Sequence, residues 1–181
     1  MNIIIIAVVV VVALWFMGQY NGLVALRNKC DHAWAQIDVQ LKKRFDLVPN
    51  LVETVKGYAS HEKEIFTKVA EARSMMTQAQ GPADQAKADN ALSGTLKTLF
   101  AVAENYPELK ANENFLELQT ELTDIEEKIS YERQFYNDAV YAYNTQIQQF
   151  PGNIIAMIFH FVVKEFFKTE GAEREVVKVQ F

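Results

Sequence analysis

Residues 112–149, NENFLELQTELTDIEEKISYERQFYNDAVYAYNTQIQQ, decide the fold. Within them Phe115, Leu118, Leu122, Ile125, Ile129, Glu132, Tyr136, Ala139 and Tyr143 recur at strictly alternating steps of three and four, which is the signature of one helical stripe. At about 1.5 Å per residue the helix is about 55 Å long. A seam this regular packs against antiparallel neighbours at shallow angles. Leu122 and Ile125 are therefore expected in the core. Pro151 and Gly152 end the helix, and Asn112 is placed to cap its start.

Working toward the N-terminus, the same logic yields three more helices. One begins near Pro82, shows Leu92, Leu96, Leu99, Phe100 and Ala103, and stops at Tyr106 and Pro107. Before it, Val52, Val55, Ala59, Phe66, Val69, Arg73 and Met76 form a face that ends in the stretch 78–83. Leu23, Cys30, Trp34, Ile37 and Leu41 form the stripe of the first helix, with Arg27 at a seam position where a charge needs a partner. Pro49 is the strongest punctuation here. It predicts a turn near Phe45 and Asp46, the rival being a kink in one continuous helix.

Residues 3–18 contain no charged or strongly polar side chain, and apolar character persists to Leu26. A membrane span needs about 20 residues, which Ile3 to about Leu23 supply. No basic segment precedes this run and no Ala-x-Ala-like site follows it, so a cleaved signal peptide is disfavoured. Asn28 and Lys29 before Cys30 disfavour a lipoprotein signal. Arg27, Lys29, Lys42, Lys43 and Arg44 all follow the span, which places the N-terminus outside and the body in the cytoplasm. The expected organisation is all-α: an anchor over 1–23, an antiparallel four-helix up-and-down bundle over 20–150, and an apolar C-terminal segment with an extended tail over 151–181. In that segment Ile154 to Val163 is too short to cross a bilayer and reads either as a short helix capping the bundle or as a piece lying on lipid or a subunit. Val177, Val179 and Phe181 alternate with Lys178 and Gln180 as in a strand.

Composition excludes several classes. The chain of 181 residues carries a net charge of -5, which offers no cationic surface for nucleic acid. A single cysteine, Cys30, excludes an intramolecular disulfide and reads as a small apolar residue. Di-iron bundles need Glu-x-x-His pairs. None occurs here, and His61 with Glu64 has the reverse order. His32, His61 and His160 lie near no nucleophile motif, there is no glycine-rich phosphate loop, and Glu117 to Lys128 reads as a solvated face. No catalytic residue, metal or cofactor is expected.

The polar residues set among aromatics are distinctive. Tyr20, Asn21, Arg27, Asn28 and Trp34 fall on the first helix, and Arg133, Tyr136, Asn137, Tyr143 and Asn144 on the last long one. If those helices are antiparallel neighbours, Tyr143 and Asn144 meet Tyr20 and Asn21 beside the membrane. There they satisfy one another's hydrogen bonds or, with Phe181, form an interface of the Tyr, Trp and Arg kind that dominates protein contacts.

These motifs carry a resemblance. Tyr20-Asn21, Leu23-Val24, Arg27-Asn28, Ala33-Trp34, the stretch 40–44, the Leu-Val-Pro-Asn-Leu-Val run of 47–52, Gly57-Tyr58-Ala59, His61-Glu62 and the block 136–156 are similar to the LemA family. The resemblance covers nearly the whole chain and implies a single N-terminal membrane helix, a long-helix domain and a bacterial inner (plasma) membrane setting. It brings no established reaction. Some members are associated with internal membrane formation. The expected function is a membrane-anchored, self-associating scaffold whose partners are the bilayer, further copies and an unidentified membrane protein. The alternatives are membrane shaping, envelope maintenance or regulation of another membrane protein.

Overall fold

The computed structural model describes residues 2–168 and is helical, with no strand among those residues. Helix α1 runs from Asn2 to Lys56, α2 from Lys63 to Gln78, α3 from Gly81 to Ala103, α4 from Pro107 to Lys110, α5 from Glu113 to Gln148 and α6 from Gly152 to Ile158. Residues 159–168 follow as an irregular strap. The tail alternation around Phe181 lies outside the described residues.

The chain forms two compact units. The first holds residues 2–36 and 134–166, and the second residues 37–133 with 167 and 168.

In the second unit the expectation of a turn at Phe45 and Asp46 is corrected, because α1 passes through Pro49 unbroken. Proline in a helix interior costs about 3 kcal/mol. Against that stand Leu41, Val48, Leu51 and Val55, which are all buried and continue the three-and-four stripe on both sides of the proline. Arg44 sits in the same stripe, and its charge is what conceals the continuity in the sequence. The break comes instead at residues 57–62, and the next helix starts at Lys63, well after the expected position. The two residues between α2 and α3 fold α3 back onto α2, and Gly81, at φ +80°, takes a conformation natural only to glycine. Helix α4 is a four-residue turn that the sequence pattern did not announce.

Helix α5 follows its predicted course. Asn112 caps it, its side-chain Oδ1 accepting the Phe115 N–H at 3.0 Å. Phe115, Leu122, Ile125 and Ile129 are buried in the second unit, and Tyr136, Ala139 and Tyr143 in the first.

In the first unit, α1 from Asn2 onward is bare of protein cover, and it is the one described helix that contains a stretch long and apolar enough to cross a membrane. Partial cover starts at Phe16, and the first fully buried residue is Leu23, 0 % exposed. Residues 154–163 hold the end of a short helix, α6, and the start of the strap. A Schellman turn joins them. The Phe161 N–H bonds back to the Ala156 carbonyl at 2.9 Å, and His160 occupies the left-handed position at φ 57°.

Candidate functional site: a strap held between α5 and α1

An extended segment without a sheet neighbour must find partners for its backbone. In the first unit α5 supplies them from side chains. The Tyr143 hydroxyl donates to the Val162 carbonyl at 3.0 Å, and the Tyr136 hydroxyl donates to the Glu165 carbonyl at 2.8 Å. Between them Asn144 acts as a strand neighbour would. Its Nδ2 donates to the Lys164 carbonyl at 2.9 Å, and its Oδ1 accepts the Lys164 N–H at 2.9 Å. Tyr136 and Tyr143 stand one heptad apart on the seam, so their hydroxyls reach the strap three residues apart.

Helix α1 completes the cradle. Phe159 lies 4.6 Å from the Tyr20 ring and 6.1 Å from Phe16, while Phe161 lies 5.9 Å from Tyr20. The Arg27 guanidinium sits over Phe161 at 5.3 Å. Arg27 is exposed, so its expected seam burial is corrected: its partner is an aromatic face at the rim. The Lys164 ammonium reaches Asp31 at 2.6 Å, and Trp34 packs 5.6 Å from Tyr136.

Burial governs the electrostatics here. It pushes the Tyr136 hydroxyl up to about 12, with the Cys30, Asp31 and Glu165 positions adding to the rise. It also raises the Cys30 thiol against the opposing pull of Lys164. Both groups are held neutral at ordinary pH, which suits a hydrogen-bond donor and an apolar filler and does not suit a nucleophile.

Of the residues singled out from sequence, the structure brings Tyr20, Arg27, Trp34, Tyr136, Tyr143 and Asn144 together around the strap. The polar groups of Tyr136, Tyr143 and Asn144 serve the strap's backbone, and Tyr20 and Arg27 meet its aromatic rings, where mutual pairing was expected. Asn137 is half-buried on the same stretch of α5, whereas Asn21 and Asn28 are exposed on α1. Arg133 belongs to the second unit, where its charge weakly opposes the burial that raises the Asp89 carboxyl.

That second unit contains a polar cluster that sequence reasoning missed. Arg44 donates to Asp89 at 2.7 Å and pairs with Glu126 at 2.7 Å, and the Ser93 hydroxyl donates to Glu126 at 3.2 Å. Arg44 and Asp89 are 3 % and 4 % exposed. Burial raises the Asp89 carboxyl, and Glu126, which shares the same guanidinium, adds to the effect against Arg44's pull. The signal was available. Arg44 falls at a seam position between Leu41 and Val48, and Asp89 between Ala86 and Leu92, so each is a charge in a core register. Among the described residues no group of His, Cys, Asp and Glu could hold a metal ion.

A bare apolar stretch running into a helical body is the arrangement of a membrane-associated helical protein. Its family follows from comparison: the LemA family model matches residues 33–181, and the chain belongs to that family. Relatives include the magnetosome proteins MamQ 1 and MamQ 2 of Paramagnetospirillum magneticum. Each is 26% identical over 198 residues, covering 95% of this chain and 72% of the relative. Protein LemA of Metamycoplasma hominis is 24% identical over 163 residues, covering 88% of this chain and 73% of its own length.

Proposed function

We propose that this protein is a single-pass, membrane-anchored scaffold that self-associates through its helical body and carries no catalytic site. The observation behind this reading is the outer surface of α5. Tyr131 and Phe135, one turn apart, are 70% and 43% exposed, and Tyr141 further along is 67% exposed. Large aromatic side chains left in water on a rigid helix are the usual anchors of protein contacts. The basic residues that follow the apolar run support a cytoplasmic body at the inner membrane, with the N-terminus outside.

The test is energy transfer between donor- and acceptor-labelled copies of the full chain in proteoliposomes at high lipid-to-protein ratio. Transfer above the random-proximity level, reduced by the pair Tyr131→Ala and Phe135→Ala, is expected. Transfer at the random level would end the self-association reading. A second reading, membrane shaping or envelope maintenance, draws on the apolar side chains exposed by α6 and the strap, and agrees with relatives named as magnetosome proteins.

A further inference from the structure

Between Gln149 and Lys164 the chain has no Asp, Glu, Lys or Arg, and His160 is its one ionisable side chain. Most of the large apolar groups of this stretch nonetheless point outward, Ile155 and Phe161 being the covered ones. Met157 is 78% exposed and Val162 73%, and Phe150, Ile154, Ile158 and Val163 are exposed with them. A contiguous apolar surface of this kind on a folded body marks something that covers it.

The geometry of α1 says what that is. Its first charged residue is Arg27, and a hydrocarbon core about 30 Å thick takes up about 20 residues of helix. Counted from Ile3, the core ends near Leu23, which is also the first fully buried residue of α1. Phe159 packs at 4.6 Å on Tyr20 and at 6.1 Å on Phe16, both on the membrane side of that limit. Whatever packs on Tyr20 shares its depth. The cations then fall just beyond the edge, with Arg27 over Phe161 and Lys29 over Phe135, at the level of the lipid phosphates.

We propose that α6 and the first half of the strap are an interfacial foot, embedded in the headgroup and acyl boundary of the bilayer that the anchor crosses. Ile154, Met157, Ile158, Val162 and Val163 face the acyl chains. The reverse turn at His160 lets α6 and the strap descend together beside the anchor. Lipid is the occupant because the surface is continuous with the lipid-facing side of α1 through the Phe16, Tyr20 and Phe159 contacts, at a depth where headgroups already fill the space.

This inference rests on reading α1 as the membrane anchor, and one experiment separates the two. The full chain, with Cys30→Ala and single cysteines at Met157→Cys, Val162→Cys, Val9→Cys or Glu117→Cys, is labelled with an environment-sensitive fluorophore. It is then reconstituted into vesicles of phosphatidylcholine and phosphatidylglycerol. At positions 157 and 162 the emission should shift to the blue and be quenched by nitroxide placed high on the lipid acyl chain. At position 9 quenching should come from nitroxide placed deep, and at 117 from aqueous iodide alone. Iodide quenching at 157 and 162 with lipid quenching at 9 would overturn the foot and keep the anchor. Protection at 157 and 162 from both quenchers would overturn it in favour of a second copy or another protein. Loss of lipid quenching at position 9 would overturn both.

Discussion

Arg44 concentrates the residue-scale lesson. A guanidinium buried at a seam position is tolerated because it is shared by Asp89 and Glu126. Removing it strands a carboxylate whose burial already disfavours its charge. Arg44→Ala should therefore cost about 3 to 5 kcal/mol in urea unfolding, whereas the pair Arg44→Met and Asp89→Leu should recover most of that loss. Tyr136 offers a pH test. Burial holds its hydroxyl at about 12, above the ordinary value of 10.0, so the folded state binds the proton more tightly than the unfolded one. Its contribution is complete below pH 10 and is lost as the pH rises to about 12. Tyr136→Phe should remove that alkaline loss from the unfolding profile, at the expense of one hydrogen bond worth about 0.5 to 1.5 kcal/mol at neutral pH. At Gly152 a Cβ would stand 2.1 Å from the Gln146 carbonyl oxygen. Gly152→Ala should lower stability by about 1 to 3 kcal/mol, measured by thermal unfolding, as α6 is pushed off the end of α5.

At the scale of elements, Pro49 decides between two sequence readings. In a continuous helix whose flanking stripe is buried, proline is a defect, so Pro49→Ala should raise stability by up to about 3 kcal/mol in denaturant unfolding. A loss of stability would mean that the local backbone set by Pro49 is required. Helix α5 was legible almost residue by residue, because its side chains repeat without interruption and Asn112 and Pro151 punctuate its ends. Helix α1 was not. Its stripe passes through a charge at Arg44 and a proline at Pro49, and a sequence reading gives each local breaker more weight than distant partners justify. The candidate site was half legible. Tyr20, Arg27, Tyr136, Tyr143 and Asn144 stood out as polar groups among aromatics, but the partner of Tyr136, Tyr143 and Asn144 is the backbone of residues 162–165, which no side-chain pattern advertises.

For the whole molecule, the bare apolar stretch of α1 is the feature on which the proposed membrane setting rests. Each charged residue placed at the middle of a span costs about 2.5 to 3.5 kcal/mol on insertion scales. Val8→Arg combined with Val12→Arg should therefore move the protein from the membrane pellet to the soluble fraction, with helicity of the body retained by circular dichroism. The sequence by itself determined that the chain is helical, that it opens with an apolar stretch of spanning length, and that the long last helix has a buried stripe. These properties are periodic or compositional, and each is complete within one segment. Tertiary structure alone decided that α1 continues past Pro49, that Arg44 finds Asp89 and Glu126, and that residues 162–165 are held by the tyrosines and asparagine of α5. Each of these depends on groups far apart in the chain, whose burial and hydrogen bonding outweigh the local preferences that a sequence displays.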